Sequence, residues 1–562
     1  MKLKLLFLVL PMFVWGQQLD LNKLEQLKQS GDPIQVGLVL SGGGAKGLAH
    51  IGVLKIIEEA GVHIDYIGGT SMGAIIGGLY AAGYTPQQLD SIFRTTDFGT
   101  LIQDELPRSS KSFNEKKDSD RYVVKLPFDD FKISFPSGLS KGQNIYNLYA
   151  QLLAHVHQSD FSKLPTPFLC IAANIETGDE VLLEEGDLAT ALSASGAIPS
   201  LFSPVYIDGM MLTDGGVLNN FPVDEVIAKG MDIIIGVDVQ DGLKTREDLE
   251  SGFDILTQVG NFRTIKSVGY KKQKTDIYIK PDIKDFNVLS FDEGEEIMNN
   301  GESAAREKLE PLQNIAKAQS RRMNRTSLQV KDSIAIGEIE IKGNKTYPRN
   351  YISGKLNIKD FETTSFKELN KGLNKLSASG SFEKINYSLT ENGNYENLRL
   401  NVQESDQNTQ LKFGIHYDQL YKTSFLTNIT QKSLFFTNDV ATLDLILGDN
   451  LRYNFNYYID KGNFWSIGLR SRINRFEDNV DFEFIEQNSE ISDVELNQIR
   501  LDFSDFTNQF YLETFYKNML NLKAGIEHKS IKASTKTVLA DVDPEDEDPE
   551  TIIEDDDLLS IF

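Results

Sequence analysis

Two tight strand-to-helix turns, built almost wholly from small residues, stand close together near the start of the chain. They limit its fold more than any other feature. The first, Ser41-Gly42-Gly43-Gly44-Ala45-Lys46-Gly47, follows the apolar run Gln35–Leu40. The second, Gly69-Thr70-Ser71-Met72-Gly73, follows a run ending at Ile67. Apolar runs at Ile34–Leu40, Ile64–Ile67, Thr166–Ala173 and Met231–Val239 alternate with helical patterns at Gly47–Ala60, Ser71–Ala82, Ser140–His155 and Val223–Lys229. This alternation predicts an α/β layered fold with a mostly parallel sheet over residues 34–310.

Each turn carries a chemical implication. Gly42-x-Gly44-x-x-Gly47, with Asp65 further on, fits a dinucleotide-binding fingerprint. Its glycines let a ligand approach the backbone, and free N–H groups at the helix start favour negative charge. A pyrophosphate uses such donors, and so does the oxyanion of an acyl-transfer intermediate. Gly69-x-Ser71-x-Gly73 between strand and helix has the form of a nucleophile elbow, whose strained turn exposes Ser71 Oγ.

A serine nucleophile needs a base. Hydrolases with this elbow run Ser, Asp/Glu, His along the chain. Of the six histidines (50, 63, 155, 157, 416 and 528), only His416 and His528 follow residue 200, and both fall in a β-rich region. A triad in that order is therefore unavailable inside the α/β domain. His50 and His63 read as helix-surface or strand-end residues, and His155 and His157 as solvated. The better candidate is Asp214 in Thr213-Asp214-Gly215-Gly216, although Asp before two glycines also suits a plain turn.

Together these motifs resemble those of the patatin-like phospholipases: a glycine loop ending in Lys46-Gly47, the elbow at 69–73 and Asp-Gly-Gly at 214–216, in family order. Ser193-Ala194-Ser195-Gly196-Ala197-Ile198-Pro199 is similar to the family's segment before the Asp motif. The resemblance implies a three-layer α/β domain and a Ser–Asp dyad, with Ser71 as nucleophile and Asp214 as general base. It further implies an oxyanion hole from the backbone N–H groups of Gly42, Gly43 and Gly44. Lys46, Gly47, Gly69, Gly73, Gly215 and Gly216 would support the motifs. Lys46 stands at the family's basic position, facing acyl-phosphate groups or forming a helix-surface salt bridge. The substrate implied is a phospholipid or other lipid ester, with no cofactor and no metal. Phe98–Leu126, rich in Leu, Phe and charge, suits a lid over acyl chains or a plain surface loop.

The remainder has other textures. Met1–Gly16 has Lys2 and Lys4 before an apolar stretch too short to span a bilayer, which predicts an export signal cleaved before Gln17. Residues 17–33 read as a leader and 311–332, polar with a basic cluster, as a linker. Over 333–404 the pattern is strand Ile334–Ile341, a helix opening at Pro348, a helix Ser365–Leu376, then a hairpin of Lys384–Thr390 with Tyr395–Gln403. This small α+β unit is similar to a POTRA domain. From 405 onward, segments such as Gln410–Tyr417, Ala441–Leu447, Tyr453–Ile459, Trp465–Ile473 and Tyr511–Tyr516 alternate polar and apolar residues. That is the pattern of an antiparallel β-barrel of the outer membrane, with a soluble β-sandwich as the alternative. The whole arrangement resembles a patatin-like type V autotransporter. A complete sixteen-strand barrel of that kind needs roughly 200 residues or more, so the portion here reads as incomplete. Asp541–Asp557, with its run of acidic residues, reads as a solvated loop.

Composition narrows the rest. With 57 basic and 82 acidic residues the net charge is −25, which disfavours nucleic-acid partners. A single cysteine, Cys170, excludes an internal disulfide framework and cysteine-rich metal sites. The leading expectation is an exported lipid acyl hydrolase working through an acyl-enzyme. It would be anchored to or displayed at the outer membrane, in contact with membrane lipid and linked to outer-membrane assembly machinery. An inert passenger on a working POTRA–barrel module is the principal alternative, and a dinucleotide-binding protein the third.

Overall fold

The computed structural model describes residues 19 and 21–553 apart from 112–115, 117–120, 130–131, 134–136, 248, 250–251, 322–325, 330–331, 420, 460–464, 482–497, 517–519 and 541–549. The expected export signal lies outside these residues. The chain divides into two compact units. One comprises residues 1–105, 137–332 and 386–394, the other 106–136, 333–385 and 395–562.

The first unit is built on strands β1 (Val36–Leu40), β2 (Tyr66–Thr70), β3 (Phe168–Asn174), β4 (Val205–Ile207), β5 (Met210–Asp214), β6 (Ile233–Val237) and β7 (Ile277–Ile279), ordered β7-β6-β1-β2-β3-β5-β4, with Glu180–Leu183 pairing β3 as the eighth strand. The run from β7 to β3 is parallel, and β5 and β4 join antiparallel. Every residue of β1, β2, β3 and β6 is buried. Strands covered on both faces read as continuous apolar runs rather than alternating ones. The glycines of β2 show both covers. A methyl group on Gly68 would strike Val226, and one on Gly69 would stand 2.7 Å from the backbone of Ala74. Helices Val223–Ile227 and α2 (Met72–Ala81) thus pack on opposite faces, giving the expected three layers.

Helix α1 (Ala49–Ala60) begins two residues later than the sequence pattern, because Gly44–Leu48 winds into a 3-10 turn first. Gly44 needs its glycine twice: its φ is +57°, and a Cβ there would run into the Val288 carbonyl. Further on, α1 crosses α4 (Gly294–Arg306) glycine to glycine. A side chain on Gly52 would meet the Met298 carbonyl, and one on Gly301 the Ala49 carbonyl. The expected linker is partly structured: α5 (Leu309–Ala318) buries Leu312 and Ile315 and packs against α1, which hides an apolar edge among polar residues.

A four-stranded sheet follows in the chain, of β8 (Ser333–Lys342), β9 (Thr363–Ser365), β10 (Phe382–Asn392) and β11 (Tyr395–Glu404), in the order β9-β8-β11-β10. Helices α6 (Arg349–Leu356) and α7 (Phe366–Ala378) complete it. Pro348 caps the first, and Ser365 Oγ accepts from the Glu368 N–H at the start of the second, as the capping pattern predicts. Gly380, at φ +60°, stands just past the end of α7.

From Thr409 the chain forms consecutive antiparallel strands, ending with Glu550–Ile553, in a ten-stranded sheet that does not close on itself. Its polarity is the reverse of a soluble sandwich. Along Lys422–Lys432, Ser424, Asn428 and Thr430 are buried while Phe425 and Ile429 face outward. Phe510 and Leu512 are exposed, and Tyr511 and Glu513, which alternate with them, are buried. Asp444, also inward, accepts hydrogen bonds from Asn428 Nδ2 (2.5 Å) and Asn454 Nδ2 (2.8 Å). An apolar outer face over an inner face of hydrogen-bonded polar side chains is the pattern of a membrane barrel wall. Two strands run further than their apolar segments predict, Ser466–Asp481 and Gln498–Tyr516. Beyond the apolar band, cross-strand ion pairs hold them, Arg475 with Asp502 at 2.7 Å and Arg500 with Glu477. Within the acidic segment, Glu550–Ile553 is a strand paired to Thr537–Ala540 rather than a loop.

The lid expectation also changes. Phe98–Ile102 is a short helix whose Phe98 ring stacks on Phe93 and Phe291. Val124–Asp129 is a strand lying antiparallel to Thr409–Asp418, and Tyr122 Oη donates to Asp444 at 2.7 Å. The edge of Thr409–Asp418 offers unpaired backbone groups, and this segment satisfies them. The rest of Phe98–Leu126 falls partly outside the described residues.

The glycine crossing yields a stability test. Gly301→Ala should lower the stability of the first unit by about 1–3 kcal/mol through overpacking. Gly260→Ala, in a helix with nothing within 4 Å of the new methyl, should hold or raise it. Scanning calorimetry of the full chain separates the two.

Candidate active site

Strand register brings the two motif residues together. Thr70 at the end of β2 pairs with Ile171 of β3, and Asp214 at the end of β5 pairs with Ala172. Ser71, one residue past Thr70, therefore stands level with Asp214 although 143 residues separate them. Ser71 Oγ donates to Asp214 Oδ2 at 2.6 Å, and both residues are buried. Asp214 Oδ1 accepts from the Gly216 N–H at 2.7 Å, so one carboxylate oxygen is anchored and the other serves Ser71. Burial pushes the Asp214 carboxyl up to about 6, opposed by these two hydrogen bonds.

Ser71 sits at φ +55°, ψ −127°, a conformation that costs an L-residue about 1–3 kcal/mol. Its surroundings hold it there. Ser195 Oγ accepts from the Ser71 N–H at 3.0 Å and donates to the Ile171 carbonyl at 2.6 Å. The Ile75 N–H donates to the Ser71 carbonyl at 3.0 Å as the first bond of α2. The flanking glycines are steric necessities: a Cβ on Gly69 would stand 2.6 Å from the Gly73 carbonyl, and one on Gly73 would strike the Leu40 carbonyl. A Cβ on Gly215 would likewise stand 2.6 Å from the Ile171 carbonyl carbon. One on Gly216 would stand 3.0 Å from Asp214 Oδ1, so the carboxylate turn also depends on small residues.

The glycine loop lies against this serine. A methyl on Gly42 would be 2.8 Å from Ser71 Cβ, and one on Gly47 would meet the Met72 side chain. Gly42 itself is committed to Asn220: its N–H donates to the Asn220 carbonyl (3.1 Å) and its carbonyl accepts from Asn220 Nδ2 (3.2 Å). This corrects the expected oxyanion set, because the Gly42 donor is already used. Gly43 and Gly44, at the start of the 3-10 turn, are the remaining candidates, and no backbone acceptor takes their N–H groups among the described residues. Lys46 is not on the surface. Its side chain is buried in an ion pair with Asp241, and desolvation lowers its pKa.

Two histidines are placed differently from expectation, while His63 stands before β2 and His157 is exposed, as the sequence suggests. His50 is fully buried: Nε2–H donates to the Ser41 carbonyl at 2.8 Å, and burial pushes its pKa down to about 4, so it is neutral. With Ser41 Oγ accepting from the Val239 N–H at 2.8 Å, it fixes the mouth of the glycine loop. His155 is half-buried against Tyr84 and the Ala82 carbonyl rather than solvated. No histidine contacts Ser71 or Asp214 in the recorded hydrogen bonds of the described residues. Asn219, Asn220, Ser195 and His50 are the positioning residues that motif reading missed. Asn219-Asn220 directly after Asp-Gly-Gly-Val-Leu was the available signal.

Comparison with known proteins places three families along the chain. Residues 38–227 match the patatin-like phospholipase family, 334–405 the POTRA family described as surface antigen variable number repeat, and 396–562 the OMP85 superfamily. The chain therefore carries all three domain types in sequence. An uncharacterized NTE family protein of Mycobacterium tuberculosis is 30% identical over 306 residues, covering 49% of this chain and 46% of that one. The lysophospholipase nte1 of Aspergillus fumigatus is 26% identical over 307 residues, covering 49% and 18%. The chain thus spans less than half the length of either relative. Among solved structures, VipD from Legionella pneumophila superposes with a TM-score of 0.27 at 14% identity, covering 50% of this chain and 67% of that one. BamA from Haemophilus ducreyi lacking POTRA domains 1–3 gives 0.23 at 12%, covering 41% and 47%.

Ser195→Ala tests the support of the elbow. It takes away the hydroxyl that accepts from the buried Ser71 N–H and donates to the Ile171 carbonyl, which should cost about 1–3 kcal/mol. Thermal unfolding checks the cost, and a slower reaction of Ser71 with an active-site serine probe checks the loss of positioning.

Proposed function

We propose that the first unit is a lipid acyl hydrolase working by a Ser71–Asp214 dyad. The 2.6 Å hydrogen bond from Ser71 Oγ to a buried carboxylate carries this reading. Asp214 takes the Ser71 proton as Oγ attacks the ester carbonyl and returns it to the departing alkoxide, so that an alcohol leaves and an acyl-enzyme remains. Water, deprotonated by the same carboxylate, then hydrolyses the acyl-enzyme. The N–H groups of Gly43 and Gly44 receive the developing oxyanion. A carboxylate near 6 is basic enough to assist and still largely ionised at neutral pH. The patatin-like match and the lysophospholipase relative favour a phospholipid or lysophospholipid ester as substrate.

The POTRA and OMP85 matches point to the outer membrane, and the inverted polarity of the C-terminal sheet supports that location. In this reading the chain is exported, the sheet is part of a barrel wall, and the hydrolase is held at that membrane. A link to outer-membrane assembly follows from the same two domains. The inert-passenger alternative loses ground because a strained Ser71 with a shared proton partner has no structural purpose. The dinucleotide reading loses ground because Ser71 lies against the loop a pyrophosphate would fill.

A fluorophosphonate should label the purified full chain, with labelling lost in Ser71→Ala and strongly reduced in Asp214→Asn. No labelling of folded wild-type protein would overturn the dyad. The pH profile gives a second check. Because Asp214 must be ionised to accept the proton, ester turnover should rise through about pH 6 and level off above it. A rate flat from pH 5 to 8 would exclude Asp214 as the base.

A further inference from the structure

We propose that the helix Gly252–Gln273 seats the hydrolase unit on an anionic phospholipid surface. This helix, α3 here, has a stripe of Ile255, Val259, Phe262, Lys266 and Tyr270 spaced i, i+4, i+7, i+11 and i+15, which keeps them on one side. Ile255, Val259, Phe262 and Tyr270 are 51%, 56%, 45% and 55% exposed, whereas Thr264 and Lys271 on the opposite side are buried. Among the described residues, no element covers this stripe of three aliphatic and aromatic side chains with a tyrosine at one end. Among the described residues no helix is long and apolar enough to cross a membrane, so this one suits a position in the surface plane.

Charge selects the occupant. With Lys271 buried on the inner side, the helix still carries Arg263, Lys266 and Lys272 against the single acid Asp254, within a chain of net charge −25. Arg263 and Lys266 are exposed beside the stripe. Apolar side chains flanked by basic ones match the boundary of a leaflet with anionic headgroups, where the stem of Lys266 lies along acyl chains and its ammonium meets phosphate. A second copy would set the same basic side chains against one another.

The inner face of the helix reaches the site. Lys271 Nζ donates to Asn219 Oδ1, in the loop that follows Asp214-Gly215-Gly216. The Asn219 carbonyl in turn accepts from Thr70 Oγ1 at 2.9 Å, immediately before Ser71. A helix docked by its outer stripe thereby presents Ser71 and Asp214 close to the lipid surface. This inference rests on the lipid-hydrolase reading above.

The test uses the full chain kept soluble in an amphipathic polymer. It measures hydrolysis of soluble p-nitrophenyl butyrate and of phospholipid in phosphatidylglycerol–phosphatidylethanolamine vesicles. Val259→Ser with Phe262→Ser should leave the soluble ester rate unchanged and lower the vesicle rate about tenfold. Arg263→Glu with Lys266→Glu should abolish the preference for phosphatidylglycerol over phosphatidylcholine vesicles. Unchanged vesicle rates in both variants would overturn the docking role. Should wild type hydrolyse neither substrate, the hydrolase reading fails, and docking is judged without activity. Val259→Trp should then blue-shift and be quenched by brominated phosphatidylglycerol vesicles. Absence of quenching, or a blue shift that depends on protein concentration and not on vesicles, would overturn it in favour of a copy-to-copy contact.

Discussion

The hydrogen bond between Ser71 Oγ and Asp214 Oδ2 is the interaction on which the arrangement of the first unit turns. It joins the ends of two strands that are not neighbours, so it exists only while β3 keeps both in register. It also requires Ser71 to stay at positive φ, against its intrinsic preference. The elements near it serve one or other condition. Ser195 holds the serine backbone, the Gly216 N–H holds the carboxylate, and the glycines at 69, 73 and 215 remove atoms that would push the strands and α2 apart.

A dyad of this kind differs from a histidine-relayed serine in what sets its proton affinity. The Asp214 carboxylate is held ionised by two hydrogen bonds and disfavoured by burial, and the balance lies near 6. Burial is the larger influence, so the layers that exclude water from the site also raise the proton affinity of this carboxylate. Packing and chemistry are thereby the same property here. A change that lets water reach Asp214 would lower its affinity for the Ser71 proton without touching either residue. His50 shows the converse case, a group kept neutral by full burial and used only to hold the Ser41 carbonyl.

The parts of this site legible in the sequence are those whose cause is local. A turn that admits only glycine announces itself, and so does a serine placed between two glycines at a strand end. What sequence reading missed depends on contacts between distant segments. Asn220 takes the N–H of Gly42 from 178 positions away, which removes one expected oxyanion donor. Lys46 finds Asp241, 195 positions on, and is buried instead of facing solvent. Helix α5 hid in an apparent linker because only Leu312 and Ile315 of a polar stretch are buried. Strands of the C-terminal sheet are legible where an apolar side alternates, as at Phe425 and Ile429, and are cut short after Ile473 and before Tyr511, where ion pairs replace apolar contacts.

The chain uses two opposite solutions to burial. In the first unit β1, β2, β3 and β6 are apolar on both faces and polar groups are confined to strand ends, so reactive side chains collect where the strands stop. In the C-terminal sheet the apolar side chains face outward, and the inner face is a network of Asn428, Thr430, Asp444 and their partners. The first arrangement needs water outside it and the second needs lipid outside it. A chain carrying both is most stable where the two solvents meet. Such a boundary is also the setting that the proposed lipid docking of α3 requires, since its apolar stripe and its basic side chains would both be solvated there.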